Sequence, residues 1–279
     1  MAKTIPTALT IAGVDPSGGA GVLADVKSFS ALGAYACAVI AALTAQNTRT
    51  VAGVLPISPD FIARQIDTLF ADVRIDATKI GMLGEAAVIV TVADRLSAWK
   101  AQRVVLDPVM VAKSGDALLA RSAVGALREA LVPLAHVMTP NLPEAGVLLE
   151  GRAPESVKEM TRAAERLHGL MGSGERWVWL KGGHLPGGDA TDLLFNGDRM
   201  IEISAPRVTT KNTHGTGCTL SAALAALLPQ RPDVPTAAKD AKEYLTEALR
   251  QADALQVGQG HGPVHHFHAL WPAAKGERH

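Results

Sequence analysis

The chain has 279 residues, 48% hydrophobic and only 4% aromatic, with 27 Lys+Arg set against 27 Asp+Glu. A formal net charge of zero excludes a general nucleic-acid or membrane-surface role. Two cysteines, Cys37 and Cys218, make no disulfide framework and fit a reducing cytosol. The start Met1-Ala2-Lys3-Thr4-Ile5-Pro6 carries no apolar leader, and no run of about 18 uninterrupted apolar residues occurs. A soluble cytoplasmic protein is expected.

Short apolar runs alternate with longer helical patterns, the signature of a parallel sheet covered on both faces. Ala8-Leu9-Thr10-Ile11 reads as the first strand. The loop Gly13 to Gly21 follows, then a helix to about Leu32 with the stripe Val22, Val26, Phe29. Asp25 falls on that stripe, which makes it either a satisfied core acid or a ligand contact. An apolar run from Ala34 to Asn47 ends in Gln46-Asn47, and Cys37 inside it reads as core. Pro59 to Phe70 predicts a helix, Ala77 to Met82 a strand, and Glu85 to Lys100 a helix. The strand Arg103 to Leu106 stops at Asp107-Pro108. Leu118 to Leu134 is helical, and the strand His136 to Thr139 reaches Pro140-Asn141. Helices over Leu142 to Leu149 and Pro154 to Met171 precede the strand Trp177 to Leu180, which opens into Lys181. Thr191 to Phe195 and Met200 to Ile203 form a hairpin around Asn196-Gly197. A last helix spans roughly Thr236 to Leu255. No repeat, linker or composition shift divides residues 1–279, so one α/β domain is expected, with 273–279 as a frayed tail.

Five of these strands end in glycine or polar residues: Gly13, Met82 after Gly81, Asp107, Asn141 and Lys181. In an open α/β sheet ligands bind beyond the carboxyl ends of the strands, so a shared crevice is expected there. The stretch Asn212-Thr213-His214-Gly215-Thr216-Gly217-Cys218-Thr219-Leu220-Ser221 leads into a helix with Leu220, Ala223, Leu224, Leu227 and Leu228 on one face. A glycine turn feeding a helix start leaves backbone N–H groups free at the positive end of the dipole, an anion site. The same field favours a thiolate at Cys218. The alternative is a tight turn capping a core helix, with Cys218 a small buried residue.

Neither Gly-x-x-x-x-Gly-Lys-[Ser/Thr] nor a Gly-x-Gly-x-x-Gly after the first strand is present, so P-loop and dinucleotide folds are not expected. The anion-binding helix start, the carboxylates Asp107 and Glu144 and the cation Lys181 make up a kit for phosphoryl transfer with Mg²⁺. Asn141 and Glu144 also have capping-box spacing, and the two roles can coexist.

At these residues the chain resembles the ribokinase-like superfamily, and within it the hydroxymethylpyrimidine/phosphomethylpyrimidine kinases of thiamine biosynthesis. The similarity runs through Ile11 to Gly21, Ala42 to Thr48, Lys79 to Leu83, Val105 to Met110, Thr139 to Ala145, His214 to Thr219 and Gly260 to His268. It implies a three-layer α/β/α sandwich with a mostly parallel sheet, a homodimer, and the use of ATP and Mg²⁺. By position it implies a pyrimidine pocket at Gln46, whose amide offers a donor and an acceptor, lined by Gly13, Ala20, Asp25, Met82 and Val109. It further implies Asp107 and Glu144 at magnesium, with Lys181, Thr213 and Asn141 at the nucleotide. Gly215, Thr216 and Gly217 would form the anion hole and Cys218 the base. At Val14-Asp15-Pro16 the family more often has Ser-Asp-Ser, a local departure.

Other readings remain. Pyridoxal kinase shares the scaffold. A non-catalytic pyrimidine-binding regulator is disfavoured by Asp107, Glu144, Lys181 and Cys218 together. A cysteine hydrolase would need His214 as a base beside Cys218. The histidines at 261, 265, 266 and 268 match no common zinc spacing and read as a loop packed near the site.

Overall fold

The computed structural model describes residues 4–111, 118–120, 122–183, 185 and 188–271; the stretch 273–279, expected to fray, lies outside them. The strands are β1 (Thr7–Val14), β2 (Tyr35–Gln46), β3 (Val51–Pro56), β4 (Ala77–Ile80), β5 (Val104–Leu106), β6 (Val137–Met138), β7 (Trp177–Leu180), β8 (Asp189–Phe195) and β9 (Met200–Pro206). The helices are α1 (Gly21–Ala31), α2 (Pro59–Phe70), α3 (Ala86–Ala98), α4 (Ala123–Ala126), α5 (Leu142–Leu148), α6 (Val157–His168), α7 (Thr216–Leu227) and α8 (Val234–Arg250).

All the described strands join one sheet in the order β3-β2-β1-β4-β5-β6-β7-β8-β9. The central strands β2, β1, β4, β5, β6 and β7 are parallel neighbours, while β3 pairs antiparallel with β2 and β8 with β7. Side-chain alternation along the strands splits the interior in two. Leu9 and Ile11 of β1, Val104 and Leu106 of β5, and Val178 and Leu180 of β7 pack with α2, α3, α5 and α6. Ala8, Val105, Trp177 and Trp179 face the other way, onto α1, α7 and α8. The result is a three-layer α/β/α sandwich. Chain order reverses at β1, with β2 on one side and β4 on the other, which creates a crevice at the carboxyl ends of these strands.

Several boundaries differ from the sequence reading. The edge strand β3 was not predicted. Its residues are almost all exposed, so it has no buried face to leave a period-2 pattern. The helix expected from Leu118 begins only at Ala123 and continues as a π turn over Leu127–Leu131 and a 3₁₀ turn over Val132–Leu134. Pro133 supplies no N–H to an α-helical end. Caps also set where two more helices begin. Ser156 receives the Glu159 N–H at the start of α6, and Asp233 the Thr236 N–H at the start of α8.

Between the sheet and α1 lies a closed ionic cluster. Thr10 and Lys79 are register neighbours on β1 and β4, and Asp25 of α1 comes down over both. The Asp25 carboxylate accepts from Thr10 Oγ1 at 2.6 Å and from Lys79 Nζ at 2.8 and 3.0 Å, and both charged side chains are fully buried. Burial alone would strip the Lys79 proton, but the charge of Asp25 outweighs it and holds the ammonium charged. Lys79→Met should therefore destabilise the protein by roughly 3–5 kcal/mol by leaving Asp25 uncompensated, whereas Lys79→Met combined with Asp25→Leu should recover most of that loss. Urea denaturation of the two variants checks this, and equal losses in both would contradict it.

Candidate active site

The site is built around the first turn of α7. Gly215 is its N-cap in a left-handed conformation, φ 77°, and a Cβ there would lie 1.7 Å from the Gly19 carbonyl oxygen. Only glycine permits this approach. The N–H groups of Thr216, Gly217 and Cys218 have no acceptor among the described residues, as the start of a helix requires. They point the positive end of α7 into the crevice.

Opposite them stand the ends of β5, β6 and β7. Asp107 accepts from Lys181 Nζ at 2.9 Å, Thr139 Oγ1 at 3.1 Å and Ser221 Oγ at 3.2 Å. Burial would raise its carboxyl, yet Lys181, Lys79 and these hydrogen bonds hold it below the usual carboxylate range. A Cβ on Gly217 would be 3.5 Å from Lys181 Nζ and 3.6 Å from Asp107 Oδ2, so helix start, cation and carboxylate share one space.

Asn141 and Glu144 form a reciprocal capping box on α5. Asn141 Oδ1 receives the Glu144 N–H, and Glu144 Oε2 receives the Asn141 N–H, each at 2.8 Å. Burial pushes the Glu144 carboxyl up to about 7, with Asp107 adding to the rise and Lys181 opposing it. The cap expected as an alternative is thus present. Among the described residues no group of three or more His, Cys, Asp or Glu is arranged to hold a metal. Two neighbouring carboxylates nevertheless fit Mg²⁺, which commonly takes one or two and fills its shell with phosphate oxygens and water.

The predicted pyrimidine residues gather around the end of β1. The Gly13 N–H donates to the Met82 carbonyl at 3.1 Å, and a Cβ on Gly13 would strike Met82 Cε at 2.6 Å. Ala20 lies beside Gly215. Gln46 is half-buried, and Thr44 Oγ1 links its Oε1 at 3.2 Å to the Val14 carbonyl at 2.9 Å. The Gln46 amide nitrogen has no partner among the described residues. Val109 and Thr213 are half-buried, and the Val109 N–H donates to the Asp107 carbonyl at 2.8 Å. Asp25 favours the first of its two readings. Fully buried, with both oxygens bonded to Lys79 and Thr10, it presents none to a ligand and is the core acid of the two readings.

Cys218 brings a correction. Its thiol is pushed up to about 11, chiefly by burial and further by Asp25 and Asp107, against the lowering effect of Lys79 and the Gly21 N–H. The helix field does not yield a thiolate at neutral pH. The hydrolase reading gains no support either: His214 Nε2 is engaged by Asp15 Oδ2 at 2.6 Å, and no hydrogen bond joins His214 to Cys218 among the described residues. At the C-terminal end, His266 is buried against Thr219 Oγ1 at 3.1 Å, and burial takes its pKa down to about 3. His266 thus packs against α7, while His265 and His268 lie against α8 and His261 is exposed.

A family model described as phosphomethylpyrimidine kinase matches residues 15–265. The chain belongs to this family. The hydroxymethylpyrimidine/phosphomethylpyrimidine kinase of Escherichia coli K12 is 55% identical over 264 residues, 95% of this chain and 98% of that one. Among solved structures, Bacillus subtilis pyridoxal kinase in its ADP complex superposes with a TM-score of 0.86 at 36% identity, covering 94% of this chain and 98% of that one. A phosphomethylpyrimidine kinase of Clostridium difficile 630 gives 0.77 at 38%, covering 88% and 99%. The fold is the ribokinase-like sandwich.

The sequence does not single out Lys79 and Thr10 beneath the site, nor Thr139 and Ser221 on Asp107; it does single out Asp15 and His214, but not as a pair. Lys79 carried a signal, the one charge in the buried strand Ala77-Thr78-Lys79-Ile80.

With its pKa raised, Cys218 should alkylate slowly at pH 8, and iodoacetamide labelling should climb towards pH 11. Saturating ATP should suppress it. Peptide mass mapping measures both effects, and half-maximal labelling below pH 8.5 would contradict the assignment.

Proposed function

We infer that the chain is an ATP-dependent kinase that phosphorylates 4-amino-5-hydroxymethyl-2-methylpyrimidine and then its monophosphate to the diphosphate, in thiamine diphosphate biosynthesis. The observation that carries this is the meeting of the free N–H groups of α7 with the Asp107–Lys181 pair, in a chain 55% identical to an enzyme of that name. In this reading Gln46, with Gly13, Ala20, Met82 and Val109 around it, holds the aminopyrimidine edge. The N–H groups of Thr216, Gly217 and Cys218, with Lys181, take the charge that spreads over the moving phosphoryl group, while Thr213 and Asn141 border the nucleotide. Asp107 and Glu144 would hold Mg²⁺, which neutralises phosphate charge when bound.

The hydroxyl proton leaves late in a loose transition state, when the attacking oxygen is already bonding to phosphorus. That timing suits Cys218, a scarce thiolate but a strong base when formed. Below pH 11 its thiolate fraction rises about tenfold per pH unit, so kcat/KM should increase from pH 7 to 10. Cys218→Ser should flatten this profile and lower kcat by about 10²-fold, the lower end of general-base effects. Near-normal turnover of Cys218→Ser with an unchanged pH profile would leave the anion hole to act alone.

Pyridoxal kinase is the second reading, supported by the TM-score of 0.86 to the Bacillus subtilis pyridoxal kinase. An ADP-release panel with hydroxymethylpyrimidine, its phosphate, pyridoxal, pyridoxine and ribose separates the two. The first two substrates should lead, and ribose should be inert. Turnover confined to pyridoxal and pyridoxine would reverse the order of the readings. The reading includes a homodimer in the cytoplasm. Exposed Leu43, Val54, Leu55 and Phe61 along β2, β3 and α2 support a partner surface, and no helix among the described residues is long and apolar enough to cross a membrane.

A further inference from the structure

Asp15 and His214 lie 199 positions apart in sequence, yet His214 Nε2 and Asp15 Oδ2 meet at 2.6 Å. Only 3% of Asp15 and 7% of His214 is exposed. Opposite a carboxylate, Nε2 carries the proton and donates it. The same carboxylate organises the loop that follows β1. Its Oδ1 accepts from the Ser17 N–H at 2.8 Å, and its Oδ2 accepts from the Ala20 N–H at 3.0 Å. The loop is closed by a bridge between Val14 and Gly21.

His214 is held from its main chain as well. Its N–H donates to the Gly262 carbonyl at 3.0 Å, and its backbone bridges to Pro263. Its ring covers Gly19, where a Cβ would lie 2.3 Å from Cδ2. The next residue, Gly215, rests on the Gly19 carbonyl. One imidazole therefore fixes the residue before the α7 N-cap and the loop on which that cap sits. A well-packed apolar pair could fill this volume at no loss of stability. What it could not supply is the fixed direction of a short charge-assisted hydrogen bond.

We propose that Asp15 and His214 are a positioning pair for phosphoryl transfer, setting the N–H groups of Thr216, Gly217 and Cys218 in register with the Pro16–Gly21 loop. This rests on the kinase reading above, in which that loop borders the pyrimidine. The pair touches no reacting atom; it decides whether the attacking hydroxyl and the phosphate cradle stand in line.

The test is steady-state kinetics with ATP and hydroxymethylpyrimidine on the full chain, together with thermal melts. Asp15→Ala and His214→Ala should each lower kcat by roughly 10–100-fold, the effect of an ångström-scale misplacement, with both KM values within about threefold of wild type. The double variant should lose no more than the worse single one, because the two act as a unit. His214→Gln, whose amide N–H can donate from near the Nε2 position, should recover most of the loss. Singles that keep kcat within about threefold while melting earlier would overturn the proposal, as would losses that multiply in the double variant. If the alanine variants do not fold, Asp15→Asn against His214→Gln carries the same comparison with the packing kept. Absence of turnover in the wild-type chain would instead sink the kinase reading, and the positioning role with it.

Discussion

The whole site depends on one steric fact, that no side chain stands between Gly215 and the carbonyl of Gly19. This approach seats the positive end of α7 at the point where chain order reverses between β2 and β4. Add a methyl group there and the helix start must move away from the loop, since backbone cannot yield as a flexible side chain does. The strand ends with Asp107, Asn141 and Lys181 are in place regardless of this contact. Without it they would face a cavity with no donors to complete the cradle.

Two cation–carboxylate pairs lie close to that contact, and they play opposite parts. Lys79–Asp25 is closed on every side and serves the packing of α1 against the sheet. Lys181–Asp107 is open to the crevice, with Lys181 14% exposed. Desolvation is the main cause that raises both the Cys218 thiol and the Glu144 carboxyl, with Asp107 adding to each and Lys79 of the closed pair opposing the rise at Cys218. The open pair leaves a cation where a phosphate can reach it. Proximity to charge thus means different things at the two lysines, and burial decides which.

Most of the fold was legible because parallel strands buried on both faces write continuous apolar runs, and their polar endings marked the crevice. The hairpin at Asn196-Gly197 was equally plain, and Gly197 indeed takes φ 95°. What escaped was either surface or long-range. β3 has no inward face to pattern, and the late start at Ala123 and the π and 3₁₀ turns up to Leu134 follow from local hydrogen bonding that periodicity does not weigh. Asp25 was ambiguous because its partner Lys79 is 54 positions away, and a single charge on an apolar stripe does not name its counter-ion. Cys218 was misjudged for a related reason. A helix start predicts the field acting on a thiol but not the desolvation around it, which raises this half-buried thiol.

The bonds that close the site run between the two ends of the chain. Asp15 reaches His214 across 199 positions, and Thr48 receives the Gly260 N–H across 212. A chain emerging from the ribosome as far as α6 carries the sheet's first strands and the carboxylates, but none of the phosphate cradle. It lacks Lys181 and the N–H groups of Thr216, Gly217 and Cys218. Contacts of such long range also close slowly, since the loop between them must be ordered first. Catalytic competence therefore arrives in a single late step of synthesis, and a prematurely terminated chain is inert rather than partly active.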